Sequence, residues 1–316
     1  MTGISVKRLG LNDFRRFKRE QHRFTVLTAY DAPTARILEA QQVPMLLVGD
    51  SLGNVVLGHR DTVPVTMADM LHHARAVRRG APDTFIVGDM PFLSYQVSLT
   101  AAIENAGLFL KDAGMDAVKL EGGAERADCI RGLVSAGIAV MGHLGLTPQS
   151  ATLLGGYKVQ ATTVADANRL LADARALEAA GVFAIVLECV PAEVARRVTE
   201  AVAVPTIGIG AGPHCDAQVL VLHDLLGFGG GGGSNAASHR PKFVRTYANL
   251  DASIGTAVRQ FQDDVAAGTF PAAAESFHLS AEEQRKFGEK NSDAAAGDGD
   301  KTSPLASSRA ARRRSS

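Results

Sequence analysis

The chain has 316 residues, 46% apolar and 5% aromatic, enough to bury a sizeable aliphatic core and too apolar for disorder throughout. No apolar run reaches the roughly 18 residues of a membrane-spanning helix. Thirty-three basic side chains balance 33 acidic ones, which removes any bulk charge favouring nucleic acid or membrane.

At the N-terminus Lys7, Arg15, Arg16, Lys18, Arg19 and Arg23 stand among few acids. The segment lacks both the serine enrichment of a transit peptide and the apolar centre of a signal peptide, so it reads as a basic surface helix leading into the first strand. Short β-branched, aliphatic runs then alternate with helix-periodic stretches, the signature of repeated βα units. Strands are expected at 25–30, 45–50, 85–90, 117–122, 139–144, 184–190, 206–211 and 219–224. Each is almost continuously apolar, as in strands covered on both faces. Helices are expected at 34–41, 66–79, 99–113, 124–136, 164–180 and 192–202, with Gly80, Gly114, Gly137 and Gly181 just past four of them, where positive φ favours glycine. Eight strands with interleaved helices fit a closed (β/α)8 TIM barrel better than an open doubly wound sheet, and roughly 200 to 250 residues suffice for one.

Residues 229–233 are all glycine and lead into Ser-Asn-Ala-Ala-Ser, a flexible loop by composition. The barrel domain is taken as residues 1–278 and the rest, 279–316, as a low-complexity, disordered tail. Its segment 281–300 carries six acids, and the last 16 residues carry five bases and no acid. Arg312, Arg313 and Arg314 could touch RNA, but a solvated terminus is the simpler reading. Cys129, Cys189 and Cys215 show no spacing suited to zinc or a redox pair and read as reduced thiols in a cytosolic compartment.

Barrel active sites lie at the C-terminal strand ends. Those ends carry Asp50 and Ser51, Asp89, Lys119 and Glu121, His143, Glu188, and His223 with Asp224. Asp50, Asp89 and Glu121 close three consecutive strands, and converging carboxylates repel unless a cation or protons intervene. All-oxygen ligands favour a hard ion, Mg2+ foremost. The competing reading is that the two aspartates cap the turns that follow. Lys119, two residues before Glu121, shares its face and suits a charge-holding role better than a Schiff base, a structural ion pair being the plainer option. Glu188 lies in an apolar Ile-Val-Leu-Glu-Cys-Val run that should desolvate it and raise its pKa toward that of a general base. His143 is a possible substrate contact or a core histidine. Gly208, Gly210 and Gly212 after strand seven sit where barrels often bind phosphate.

Taken together, VGDSLG (48–53), GHRDTVPVTMADM (58–70), AVRRGAP (76–82), VGDMPF (87–92), VKLEGG (118–123), GHLGLTPQS (142–150), GGYKVQ (155–160), VLECVP (186–191), IGIGAG (207–212) and PKFVRTY (241–247) resemble the ketopantoate hydroxymethyltransferase family. The resemblance spans about residues 6–278. It implies a (β/α)8 barrel of the phosphoenolpyruvate/isocitrate-lyase type, a cytoplasmic location and a high-order homo-oligomer, commonly a decamer. It further implies Mg2+ at Asp50, Asp89 and Glu121, directly or through water, with Asp50, Ser51, Asp89 and Lys119 contacting 3-methyl-2-oxobutanoate and Glu188 taking its C3 proton. The enolate then attacks the one-carbon unit of 5,10-methylenetetrahydrofolate to give 2-dehydropantoate for pantothenate synthesis. A carbon-carbon lyase of the related superfamily shares the carboxylate layout, but those lyases place a cysteine in a mobile loop. A catalytically silent barrel binding RNA or a partner through its tail is the third possibility. Two departures stand out: the Gly-rich 229–239 stretch replaces a compact segment of the family, and the tail has no counterpart there. Gly155, Gly156, Tyr157 and Lys158 form a candidate lid.

Overall fold

The computed structural model describes residues 8–229 and 241–287. The glycine run from residue 230 and the tail from 288, with its arginines, lie outside the described residues, whereas 281–287, expected to belong to a disordered tail, are helical. The chain divides into two compact units, one ending at Ser253 and the other beginning at Ile254.

The first unit opens with α1 (Leu11–Arg19), β1 (Phe24–Thr28), α2 (Ala32–Ala40), β2 (Met45–Val48), the single turn α3 (Leu52–Val55) and α4 (Met67–Gly80). It continues through β3 (Phe85–Asp89), α5 (Leu99–Lys111), β4 (Ala117–Glu121), α6 (Ala127–Ser135) and β5 (Val140–Gly145). Then come α7 (Val164–Ala180), β6 (Ala184–Glu188), α8 (Ala192–Ala201), β7 (Thr206–Ile209), β8 (Ala217–Leu220) and the short α9 (Leu222–Leu226). All eight strands run parallel in the order β1 to β8, and β8 pairs back onto β1, closing the barrel. The fold is therefore the expected closed barrel and not the open sheet.

Local chemistry explains the boundaries. Asp31, Thr66, Ser98 and Thr163 each accept a backbone N–H at a helix start, and Thr66 with Asp69 forms a reciprocal capping box. Gly181 ends α7 in the left-handed region at φ 102°, as expected. Gly80 differs: it is the last residue of α4, and a Cβ there would lie 2.2 Å from the carbonyl oxygen of Ala32. Close packing of α4 on the start of α2, not positive φ, requires that glycine.

Two further expectations need correction. Strand eight runs Ala217–Leu220 instead of 219–224, because the Leu222 N–H donates to Thr28 Oγ1 at 2.9 Å and the chain turns into α9. His223 and Asp224 thus sit on a helix and not on a strand end. No helix separates β7 from β8, and β8 consequently exposes Gln218 outward. The unanticipated α10 (Leu250–Ala267) crosses the boundary between the units. In the second unit Phe261 and Phe270 meet edge to face at 5.2 Å.

Two apolar cores follow from the strand pleat, since alternate residues face opposite sides. Outward residues such as Leu46, Ile86, Leu120, Ile185 and Leu187 pack under the helices. Inward residues fill the barrel from its N-terminal end: Phe24, Met45, Phe85, Ala117, Met141, Phe183, Ala184, Ile207 and Ala217. α1 stoppers that end. Its Phe14 is fully buried, with ring centroids 5.3 Å from Phe24 and 5.1 Å from Phe85. The N-terminal segment is thus a helix as expected, but one face is core. Phe14→Ala should destabilise the protein by about 3–5 kcal/mol in urea unfolding; a change below about 1 kcal/mol would show that the stopper is dispensable.

Candidate active site

The same pleat that fills the barrel with apolar side chains delivers charged ones to its opposite end. Continuing the inward parity, Phe85 and Val87 lead to Asp89, Ala117 to Lys119 and Glu121, Met141 to His143, and Ala184 and Val186 to Glu188. Asp50 and Ser51 follow β2 after Gly49. All seven side chains line one cavity of about 480 Å3, together with Thr28, Asn54, Arg60, Tyr157, Asp224 and Phe243. These seven sequence-predicted residues are brought together, His223 is not among the lining residues, and Lys119 and Glu121 share a face as expected.

The contacts are short and mostly buried. Lys119 Nζ lies 2.7 Å from Asp89 Oδ1 and 3.2 Å from His143 Nδ1. His143 in turn places Nε2 3.1 Å from Glu188 Oε2 and Nδ1 3.4 Å from Glu121 Oε1. The Asp50 backbone N–H donates to Asp89 Oδ2 at 3.3 Å. Neither aspartate caps a helix: Ser51 stands at the N-cap of α3 without a side-chain bond, and α5, the next helix after Asp89, is capped by Ser98. The Ser51 hydroxyl pairs with Tyr30 at 2.8 Å.

Glu188 is held from behind by backbone geometry. Gly145 has φ 93°, and a Cβ there would stand 2.2 Å from the Glu188 carbonyl oxygen, so only glycine lets β5 and β6 approach at this point. The next residue, Cys189, turns through φ 48°, a strained value beside a functional side chain. Glu188 is less enclosed than its apolar neighbours suggest, its side chain being 16% exposed against 2% for Asp89 and Glu121. Gly210 and Gly212 are explained by packing: an added Cβ would meet the Phe243 ring and Ala192 respectively.

Two buried residues were not singled out from sequence. Gln149, in the 3-10 turn Pro148–Ser150, donates from its side chain to Asp50 Oδ2 at 2.9 Å and from its backbone to Glu121 Oε2 at 3.1 Å. Tyr95 bonds the Gln149 side-chain oxygen at 2.8 Å. Their signal was present only as the Pro-Gln in GHLGLTPQS and the Tyr after MPF, which periodicity does not rank.

The electrostatics are those of a buried carboxylate cluster with too few cations. Burial pushes Asp89 up from 3.8 to about 8, against the opposing Lys119 ammonium and with help from Asp50 and Glu121. Burial would lower Lys119, but Asp89, Glu121 and Asp50 outweigh it and hold the ammonium above the ordinary lysine range. For His143, burial and Lys119 oppose protonation, yet the hydrogen bonds to Glu121 and Glu188 carry it up to about 9. Asp89 Oδ1 and Glu121 Oε1 are buried without an aligned hydrogen bond, the first despite its ion pair. Asp50, Asp89, Glu121 and Glu188 crowd around Lys119 and His143, and a divalent cation would relieve the repulsion among the carboxylates. Among the described residues no three His, Cys, Asp or Glu side chains form a ready-made cage. Mg2+ does not need one, because it keeps several waters and is held by one or two carboxylates plus substrate. The donor set fits it.

Comparison with known proteins identifies the family. Residues 8–273 match the family model described as ketopantoate hydroxymethyltransferase. A 3-methyl-2-oxobutanoate hydroxymethyltransferase of Syntrophomonas wolfei is 52% identical over 265 residues, 84% of this chain and 94% of the relative. One from Moorella thermoacetica is 52% identical over 270 residues, 85% of this chain and 98% of the relative. Among solved structures, phosphonopyruvate hydrolase with oxalate and Mg2+ superposes with TM-score 0.54 at 12% identity, covering 92% of this chain and 99% of its own. For 2,3-dimethylmalate lyase, a member of the PEP mutase/isocitrate lyase superfamily, the TM-score is 0.52 at 17% identity, covering 91% and 99%. These two likenesses concern the barrel fold alone.

The raised Asp89 pKa fixes the sign of a pH effect in metal-free buffer. Unfolded, this carboxyl loses its proton near 3.8, whereas folded it keeps the proton to about 8. The folded state therefore binds the extra proton between those values, and stability falls as pH rises through the window, by up to about 1.4 kcal/mol per pH unit. Unfolding in EDTA between pH 5 and pH 7 should show stability falling more steeply with pH in wild type than in Asp89→Asn, since the raised His143 contributes to both; equal slopes would refute the assignment.

Proposed function

The chain belongs to the ketopantoate hydroxymethyltransferase family, and from that membership we propose that it transfers a hydroxymethyl group from 5,10-methylenetetrahydrofolate to 3-methyl-2-oxobutanoate, giving 2-dehydropantoate for pantothenate synthesis. One observation carries the reading: Asp50, Asp89, Lys119, Glu121, His143 and Glu188 meet in a single cavity at the C-terminal mouth of the barrel.

Asp50 and Asp89 would hold Mg2+, with Glu121 acting directly or through water. When bound, the ion supplies Lewis acidity that polarises the carboxylate and keto oxygens of the oxo acid and acidifies C3. The remaining work belongs to side chains. Lys119, kept charged by three carboxylates, counters the negative charge that grows on the substrate oxygen. Ser51 and Asp89 contribute to substrate placement. Glu188 removes the C3 proton, and His143, 3.1 Å from its carboxylate, steadies it. The C3–H electron pair passes into the enolate, whose carbon bonds the donor's one-carbon unit at the oxidation level of formaldehyde. Water supplies the hydroxyl oxygen, and the C–N bonds to the folate break to release tetrahydrofolate. The turn bearing Gly155, Gly156, Tyr157 and Lys158 acts as a lid, a reading supported by Tyr157 lining the cavity.

The proposal extends to a cytoplasmic homo-oligomer, decameric by resemblance, with residues 1–278 as the catalytic domain and 279–316 as a tail. Among the described residues no helix is long and apolar enough to cross a membrane. Against the lyase alternative, no described cysteine lines the cavity; Cys129 lies in α6, its thiol 3.7 Å from the Tyr95 carbonyl oxygen.

Glu188→Gln should slow exchange of the C3 proton of 3-methyl-2-oxobutanoate with D2O by about 10²–10⁴-fold while the oxo acid still binds; undiminished exchange would remove Glu188 as the base. Turnover followed by product analysis, with and without methylenetetrahydrofolate and in Mg2+ or EDTA, should give 2-dehydropantoate only with both donor and metal. Cleavage products formed without the donor would favour a lyase.

A further inference from the structure

We propose that Gln149, oriented by Tyr95, is a positioning residue that fixes the carboxylates of Asp50 and Glu121 for a divalent cation; this rests on the Mg2+ reading above. Gln149 is 5% exposed and lies in the turn that follows β5. From there it reaches three other strand ends. Its Nε2 donates to Asp50 Oδ2 after β2 and to the Met90 carbonyl after β3, both at 2.9 Å. Its backbone N–H donates to Glu121 Oε2 at the end of β4, at 3.1 Å.

The hydroxyl of Tyr95 decides which way the amide points. It accepts the backbone N–H of Glu121 at 3.1 Å, and of the two acceptors within reach of its own proton Gln149 Oε1 at 2.8 Å is nearer than the Glu121 carbonyl oxygen at 3.3 Å. With Oε1 turned toward Tyr95, Nε2 must face Asp50 and Met90, which offer only acceptors. A reversed amide would set a carbonyl oxygen against a carboxylate in a dry pocket. Each carboxylate thus commits one oxygen to Gln149 and keeps the other. The other Glu121 oxygen, Oε1, faces His143 Nδ1 at 3.4 Å and is among the buried atoms without an aligned hydrogen bond.

The choice of an amide has a consequence that an arginine or lysine would not deliver. A neutral donor restrains a carboxylate without neutralising it, so the full charge stays available to a cation. Outer-shell partners of this kind typically change metal affinity about 10–100-fold.

Calorimetric titration of the metal-free full chain with MgCl2 alone, well below the melting temperature, compares wild type with Gln149→Leu and Tyr95→Phe. Mg2+ affinity should fall about 10–100-fold in Gln149→Leu and by a smaller factor in Tyr95→Phe. Thermal melts of the same samples report the fold. A lowered melting temperature with Mg2+ affinity within about twofold of wild type would mark the pair as structural only and overturn the proposal. If Gln149→Leu does not fold, Tyr95→Phe, which deletes one oxygen, carries the same readout. A wild type that takes up no Mg2+ defeats the metal reading and this proposal together, whereas wild-type uptake with unaltered variants defeats this proposal alone.

Discussion

The ammonium of Lys119, 97% buried at the end of β4, is the interaction on which the rest of the site depends. It sits 2.7 Å from Asp89 and within the field of Asp50 and Glu121, and it is the one lysine lining the described cavity. Removing a single partner from a buried pair strands the other charge, which typically costs about 3–5 kcal/mol. The pair therefore ties the stability of the barrel mouth to its chemistry. The carboxylates can be crowded because Lys119 is there, and Lys119 stays charged because they are crowded.

Most of the cluster is built on strand ends, with Asp50 two residues past β2. Strand pleating sets where a side chain starts, and the parallel register Asp89 to Lys119 and Glu121 to His143 sets which groups meet. Glu188 joins through the register of β5 with β6, in which Gly145 stands beside it without a side chain. Backbone hydrogen bonds thus carry the precision that flexible surface segments would lose.

Much of this was readable from sequence, for physical reasons that also mark the limit. The strand ends were legible because apolar runs break where a charge appears, and the shared face of Lys119 and Glu121 follows from a period of two. The resemblance of ten ordered motifs then fixed the family. Gln149 and Tyr95 were not legible as partners, because their role lies in contacts made across 99 residues to Asp50 and 54 residues to one another. The end of strand eight was missed for a similar reason: a hydrogen bond from Leu222 to Thr28, 194 residues away, turns the chain where its own residues would continue a strand. Phe14 looked like part of a basic surface segment until the barrel supplied the rings that surround it.

The stopper formed by α1 bears on traffic as well as on stability. With aromatic rings filling the floor, the polar cavity is left to the C-terminal strand ends. Two reactants that share one cavity must queue: whichever occupies the deeper berth arrives first and departs last. On the proposed chemistry, an oxo acid seated among the carboxylates beneath a bulkier donor would be the first to bind.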